Sequence, residues 1–264
     1  MARIALAAPL VLLISIVMAM TGRGGGNFYV PLLVASGQPM HAAAASGQLI
    51  LTFAALTAMV VFQKHRMVDW KLALVIDPIT DVMAFVGGYF SVVASGVALK
   101  CLLAVLLAVA GVAMLLRVRY TPIERKSRVG FWHRRFGGEE YVVNLWLALP
   151  IAAATGLVAG AVGISGGSFK IPLMVLLCGV PMRIAVGTSS AMVAATALMG
   201  FLGHSTAGHF DYRWAAPLAA VAIVGSLLGG HLTLQTNPRR LKLIFALTTF
   251  AAAVFMSANA ILSS

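Results

Sequence analysis

A polar, glycine-rich stretch interrupts this apolar chain at residues 163–172, where the sequence is GISGGSFKIP. A similar stretch, TGRGGGNFYVP, occupies residues 21–31. In each stretch, glycines that free the backbone to turn stand directly before a short apolar run. We therefore predict that each stretch breaks one helix and begins another, with the short apolar runs at residues 28–36 and 169–178.

The composition is that of a membrane protein. Of the 264 residues, 61% are hydrophobic and 10% are charged, and the mean hydropathy is +0.97. Apolar runs of about 20 residues, the length that crosses a bilayer, recur along the whole chain. They cover residues 3–20, 43–62, 72–93, 98–116, 145–162, 185–203, 214–233 and 241–262. A bilayer requires the backbone to satisfy its own hydrogen bonds, so the sequence predicts an all-α polytopic membrane protein.

The net charge of +12 is explained by basic residues that concentrate on one side of the membrane, so we do not take it as a sign of nucleic-acid binding. Seven arginine and lysine residues crowd into one polar segment between residues 117 and 135. The excess of basic residues in cytoplasmic loops places this segment inside the cell. We predict a first membrane repeat over residues 1–117, a basic cytoplasmic linker over residues 118–144 and a second membrane repeat over residues 145–264.

The two halves of the chain are copies of each other at an offset of 142 residues. Matching positions include Pro39 with Pro181, and the pairs 87–88 and 229–230, which are glycines. Five membrane segments per half, counting the short runs, would invert one half relative to the other and keep most basic residues on one side. We therefore predict two inverted-topology repeats with broken or re-entrant helices at the glycine clusters. Such repeats are typical of secondary transporters, whose substrate sites lie at broken helices.

The glycine clusters and two polar helix starts predict an anion site. A helix N-terminus presents unpaired amides and the positive end of a dipole, and Asn27 and Ser168 are placed as N-caps. Close helix packing is the alternative role for the glycines, and hydrogen bonding to their own helix is the alternative for the hydroxyls. The predicted substrate-binding residues are Gly25, Gly26, Asn27, Ser46, Gln48, Gly166, Gly167, Ser168, Lys170, Thr188 and Ser189.

Charged residues inside apolar segments are candidates for function. Lys170 and Arg23 are both placed to complement an anion, although Lys170 is equally suited to extend toward the membrane interface. Asp77 and Asp81 are four residues apart and share one helix face, so we interpret them as proton-coupling residues; an interfacial position with no special role is the alternative. Asp69 precedes an apolar run and is predicted to cap its helix.

One long segment carries a family resemblance. Residues 160–204, GAVGISGGSFKIPLMVLLCGVPMRIAVGTSSAMVAATALMGFLGH, resemble the signature region of the sulfite exporter TauE/SafE family. The sequence departs from that pattern at Ser165 and at Ser46–Gly47. The resemblance implies a multi-pass permease of the bacterial cytoplasmic (inner) membrane that exports sulfite, a sulfonate or a related small sulfur oxyanion. It implies no cofactor, and the partners are the anion and the lipid bilayer, with a homo-oligomer left open.

Three alternatives remain at this point. A passive anion channel would use the same polar constriction without alternating access. An intramembrane serine protease would use Ser165 as nucleophile and His204 as base, provided that the two come within hydrogen-bond reach. A metal site at His204, His209 and Asp211 is the third, but these residues fall in a predicted outer loop, so we predict neither an enzyme nor a metal site.

Overall fold

The computed structural model describes residues 2–38, 40–90, 105, 108, 111–112, 114–115, 129–162, 167–206 and 212–262. The described part is mostly helical, as the sequence predicts. In chain order the helices are α1 (Ala2–Met20), α2 (Gly26–Ala35), α3 (Met40–Lys64), α4 (Trp70–Phe90), α5 (Leu145–Val162), α6 (Gly167–Pro172), α7 (Met182–Thr206), α8 (Tyr212–Gln235) and α9 (Pro238–Leu262). Helix α6 continues into a π-helical turn, Leu173–Leu177.

Three of the described helical stretches are long and apolar enough to cross a membrane. They are Ala45–Lys64, Met182–Met199 and Tyr212–Gln235. The two short apolar runs form helices where the sequence predicts them, directly after the glycine clusters. The chain is thus a helical protein with membrane-spanning candidates, while five segments per half and an inverted relation between the halves remain predictions.

A β-hairpin lies within the segment that the sequence predicts as the basic linker. Strand β1 (Phe131–Phe136) pairs antiparallel with β2 (Glu139–Asn144), and Gly137 and Gly138 form the connecting turn with positive φ angles of 61° and 81°. A two-residue glycine turn matches the twist of an antiparallel pair. The end of the hairpin leads directly into α5, whose first amide, at Leu145, donates to the carbonyl of Gly130 over 2.8 Å.

The first of two compact units consists of residues Met1–Val68 and Val186–Asn237. In it, α1 packs against α8, and α8 also packs against α3. Glycines make the first contact possible, because a Cβ at Gly225 would collide with Ser15 and one at Gly229 would collide with the carbonyl of Ile16. The spacing of Gly225 and Gly229 is the small-residue motif of close helix pairs in membranes.

The second compact unit consists of residues Asp69–Ala185 and Pro238–Ser264. Here α4 packs against α5, and a Cβ at Gly156 of α5 would collide with the carbonyl of Thr80 of α4. At the offset of 142 residues, α1 corresponds to α5 and α4 corresponds to α8. The α1–α8 pair of the first unit and the α4–α5 pair of the second are therefore made from equivalent helices.

Candidate anion site

Five residues between α1 and α2, here called the glycine loop, begin the site in the first unit. All five are buried, and Gly22, Gly24 and Gly25 have positive φ angles of 68°, 71° and 93°. The carbonyl of Gly25 accepts hydrogen bonds from the amides of Phe28 and Tyr29, at 2.9 and 3.2 Å. The glycine loop consists of Thr21, Gly22, Arg23, Gly24 and Gly25.

The structure corrects two predicted helix caps. Helix α2 begins at Gly26 and has Gly25 as its N-cap, in a left-handed conformation and without a side-chain cap. Asn27 therefore lies inside the first turn of α2, and Ser168 likewise lies inside α6. The physical reason at α2 is steric, because the left-handed turn excludes most side chains and a Cβ at Gly25 would lie 2.9 Å from the ring of Tyr29.

The glycine loop contacts two long helices of the first unit. A Cβ at Gly22 would lie 2.5 Å from the carbonyl oxygen of Val186 on α7. A Cβ at Gly24 would collide with Leu51 on α3 and would come 2.8 Å from Val193 on α7. The absence of side chains at these two positions thus lets the loop backbone approach both α3 and α7.

Polar side chains of α7 lie on the face that meets the glycine loop. Residues three and four positions apart share a helix face, so Ser189 and Ser190 lie between Val186 and Val193. The hydroxyl of Ser190 donates to the carbonyl of Val186 over 3.0 Å. Ser189 is fully buried and its hydroxyl has no hydrogen-bond partner. Thr188, also fully buried, lies two residues after Val186 and therefore on the opposite face of α7.

Helix α3 carries two further predicted polar residues of the first unit. Gln48 lies one turn before Leu51, and its buried Oε1 atom has no hydrogen-bond partner. Ser46 is fully buried and accepts a hydrogen bond from Nε2 of Gln38 over 3.1 Å, a contact that the sequence did not predict. Buried polar atoms without partners are costly in a protein interior, and a bound polar ligand would satisfy those of Gln48 and Ser189.

Arg23 places a cation in the same loop. Only 3% of this residue is exposed, and it stands between two glycines whose neighbours are α3 and α7. A guanidinium carries five N–H donors in a planar fork that matches the oxygens of an oxyanion. The first unit thus gathers a buried cation, a hydroxyl and an amide around one loop, and it contains the predicted site residues Gly25, Gly26, Asn27, Ser46, Gln48, Thr188 and Ser189.

The remaining predicted residues belong to the second unit. Lys170 on α6 is 2% exposed and forms an ion pair with Asp77 on α4, and its Nζ lies 4.0 Å from a carboxylate oxygen of Asp81. Gly167 and Ser168 precede Lys170 in α6 and are buried. Gly166 and Ser165 lie outside the described residues. The pairing of Lys170 with Asp77 was not predicted, because 93 residues separate them along the chain.

A carboxylate outside the apolar helices holds the β-hairpin. Asp69 accepts hydrogen bonds from Nε of Arg134 at 3.1 Å and from the hydroxyl of Tyr141 at 2.5 Å. It also caps α4 as the sequence predicts, since its Oδ1 accepts from the amides of Lys71 and Leu72 at 3.1 and 3.2 Å. Burial alone would raise the pKa of Asp69, but these hydrogen bonds and the Arg134 charge hold that pKa below its ordinary value.

No group of three metal-ligating side chains occurs in the part of the chain that the structure describes. His204, which the sequence places in a loop, lies instead in the last turn of α7. Its neighbours in the predicted cluster, His209 and Asp211, lie outside the described residues.

The glycine loop offers a test of its own packing. We expect Gly22→Ala to lower the free energy of unfolding by several kcal/mol, because it adds a collision with Val186 to the cost of about 1 kcal/mol for a left-handed alanine. Gly138→Ala is the matched control, since Gly138 has a φ angle of 81° and nothing within 4 Å of a Cβ. Thermal unfolding in detergent measures the stability of both variants. Equal losses of stability would contradict the close approach of Gly22 to Val186.

These observations describe a helical protein with membrane-spanning candidates and, in each of its two compact units, buried polar and charged groups near a short helix that follows a glycine cluster. Comparison with known proteins gives the family. The family model described as sulfite exporter TauE/SafE matches residues 7–256. The chain belongs to the sulfite exporter TauE/SafE family of membrane transporters, and the resemblance seen in the sequence is confirmed.

Relatives support the same class. The probable membrane transporter protein YunE of Bacillus subtilis strain 168 is 25% identical over 239 residues, which cover 86% of this chain and 87% of YunE. A probable membrane transporter protein of Xylella fastidiosa strain Temecula1 is 24% identical over 253 residues, which cover 92% of this chain and 91% of the relative. No solved structure gives a significant match.

Proposed function

We propose that this transporter is a permease for small sulfur oxyanions such as sulfite or a sulfonate, and that it moves them out of the cell. The observation that carries the proposal is the buried Arg23 in the glycine loop, beside α3 and α7, where Gln48 and Ser189 have unsatisfied polar atoms. The family adds the substrate class and the outward direction, because its model is described as a sulfite exporter.

The chemistry of these groups suits a small oxyanion. A guanidinium fork binds two oxygens of a tetrahedral or pyramidal anion at once. The hydroxyl of Ser189 donates to a third oxygen. Rotation of the Gln48 amide presents either an N–H donor or a carbonyl acceptor, and the acceptor would receive the proton of an anion such as hydrogen sulfite. A substrate bound there replaces water with fixed donors and offsets the desolvation of Arg23.

The duplication supports alternating access as the transport mechanism. Inverted repeats let a transporter expose one site to either side of the membrane by exchanging the conformations of its halves. The equivalent helix pairs α1–α8 and α4–α5 are consistent with such an exchange, because each is built from one helix of each half. We place the transported anion at the glycine loop, against helix starts supplied by α3 of the first half and α7 of the second.

Ligand-induced thermal stabilisation of the purified protein tests the substrate class. Ligand that binds only the folded state raises apparent stability by mass action. We expect a shift with sulfite, thiosulfate or methanesulfonate and none with acetate, and Ser189→Ala should weaken the affinity about threefold to tenfold through the loss of one hydrogen bond.

The matched control for this experiment is Ser226→Ala. Ser226 is buried in the same unit and its hydroxyl also has no partner. It lies on α8, about 10 Å along that helix from Thr233, whose hydroxyl donates to the carbonyl of Met20 directly before the glycine loop. An equal loss of affinity in both variants would show that Ser189 does not contact the anion. A shift with acetate and with none of the sulfur oxyanions would reject the proposed substrate class.

A further inference from the structure

Lys170 and Asp77 form a buried ion pair in the second compact unit. Lys170 is 2% exposed and Asp77 is 8% exposed, so both charges are removed from water. Asp81, one turn further along α4, lies 4.0 Å from Lys170, and its side chain is 32% exposed. Helix α5, which packs against α4, contains no ionisable side chain, and Lys170 is the one ionisable residue of α6. Among the described residues of α4, α5 and α6, these three charges therefore lie together.

The duplicated architecture accommodates neutral residues at the positions equivalent to this pair. In the first half of the chain the position equivalent to Lys170 is Tyr29, which is fully buried and hydrogen-bonds to Ser15 over 2.8 Å. The position equivalent to Asp77 in the second half is Ala219, which is also buried. Equivalent places in the duplicated architecture thus hold neutral residues. A buried ion pair adds little net stability over neutral side chains, so the pair calls for an explanation other than folding.

Charge balance supplies that explanation. With the pair intact, the buried Lys170 and Asp77 have no net charge. An anion that bound Lys170 while Asp77 stayed ionised would add one negative charge to this buried cluster, which is costly. Uptake of one proton by the displaced carboxylate of Asp77 returns the cluster to its original charge. Asp81, partly exposed and near the same ammonium, is placed to pass that proton to Asp77.

We propose, building on the proposed function, that Lys170 and Asp77 form a proton-coupled anion site. At this second site, which the anion occupies at a different step from the glycine loop, the anion replaces the Asp77 carboxylate at Nζ of Lys170, and an Oδ atom of Asp77 takes one proton from water. The ion pair forms again when the anion leaves, and the proton is released. Anion and proton then move together, so the transport of a monovalent sulfonate is electroneutral and is driven by the anion and pH gradients rather than by the membrane potential.

Proton movement in proteoliposomes tests the proposal. The probes are methanesulfonate and thiosulfate, which stay fully ionised near neutral pH, so a change in internal pH reports protons carried by the protein. With the membrane potential clamped by potassium and valinomycin, we expect wild-type methanesulfonate flux to change the internal pH with a ratio of about one proton per anion. Asp77→Asn should retain anion flux and lower the proton-to-anion ratio at least about tenfold, because its amide binds no proton.

Two further variants keep the proposal falsifiable. The double variant Asp77→Asn with Lys170→Gln gives a neutral pair like that of the other half, so it should fold even if Asp77→Asn alone does not. Because it also lacks the ammonium that binds the anion, it should lose both anion flux and proton movement. Glu140→Gln, on the exposed hairpin, is the control and should couple like the wild type.

The outcomes separate this inference from the proposed function. Wild-type flux of methanesulfonate or thiosulfate without a pH change would overturn the proton-coupled site and leave the sulfur-oxyanion permease intact. Persistent proton movement in Asp77→Asn, or in the double variant, would also overturn it. The absence of flux for both probes and for sulfite would reject the proposed function and the inference together.

Discussion

Replacing Arg23 with glutamine is expected to abolish binding and transport of sulfur oxyanions at concentrations that saturate the wild type. Removing one member of a buried charge pair costs about 2–5 kcal/mol, which corresponds to an affinity loss of about 30-fold or more. Glutamine keeps part of the side-chain volume and hydrogen-bonding capacity of Arg23 but none of its charge. Thermal titration of the purified variant with thiosulfate, and flux of the same anion into proteoliposomes, measure the two losses.

Two variants separate this role from a general effect on the fold. Arg23→Lys keeps the charge without the planar fork, so we expect intermediate affinity. Arg66→Gln is the control, because Arg66 is an exposed arginine at the end of α3 in the same compact unit. An Arg23→Gln protein that unfolds at the wild-type temperature and still binds thiosulfate with wild-type affinity would remove Arg23 from the site.

The sequence predicts the broken helices well, because glycine and proline act locally. The clusters before residues 28 and 169 are followed by the short helices α2 and α6, as expected. The caps were wrong for a local reason as well. Asn27 is a favourable cap by residue type, but the left-handed turn at Gly25 completes the loop one residue earlier. Residue preference alone did not reveal which glycine would take that conformation.

Contacts between distant residues could not be predicted from one sequence. Lys170 and Asp77 each stood out as a charge in an apolar segment, yet nothing local indicates that they pair. Similarly, the apolar surface of α8 does not specify α1 and α3 as its neighbours. The hairpin is different, because six-residue strands around a Gly137–Gly138 turn are a recognisable signal. We interpreted the basic residues of that segment only as a sign of its cytoplasmic location, and we did not predict the hairpin.

The polar residues of α3 and α7 illustrate the same limit. Ser46, Gln48, Thr188 and Ser189 were selected by residue type and by their place near a helix start. Their burial, and the absence of partners for Gln48 and Ser189, depend on how α3 and α7 pack around the loop. Arg23 shows the value of the packing most clearly, since its proposed role as an anion ligand depends on the burial of the loop, which the sequence does not reveal.

Replacing Asp69 with alanine is expected to have the largest effect on stability outside the apolar helices. The substitution leaves Arg134 and Tyr141 without their carboxylate and removes the N-cap of α4. Loss of one partner from a buried pair costs about 3 kcal/mol, and loss of a cap adds about 1 kcal/mol. Asp69→Asn should keep the N-cap of α4 but lose the charged contact with Arg134. Tryptophan fluorescence can follow the hairpin, because the Arg134 guanidinium lies 4.9 Å from the Trp132 ring.

The pH dependence of the same contact has a definite sign. The pKa of Asp69 is lower in the folded protein, so its stabilisation is complete above the unfolded pKa of about 3.9 and is lost as the pH falls through the folded value. The hairpin signal should therefore be constant from pH 5 to 8 and change only in more acidic solution. Glu140→Gln is the control, since Arg135 and Glu140 form an exposed pair at 3.6 Å that contributes little. An Asp69→Ala protein as stable as Glu140→Gln would mean that Asp69 does not hold the hairpin to α4.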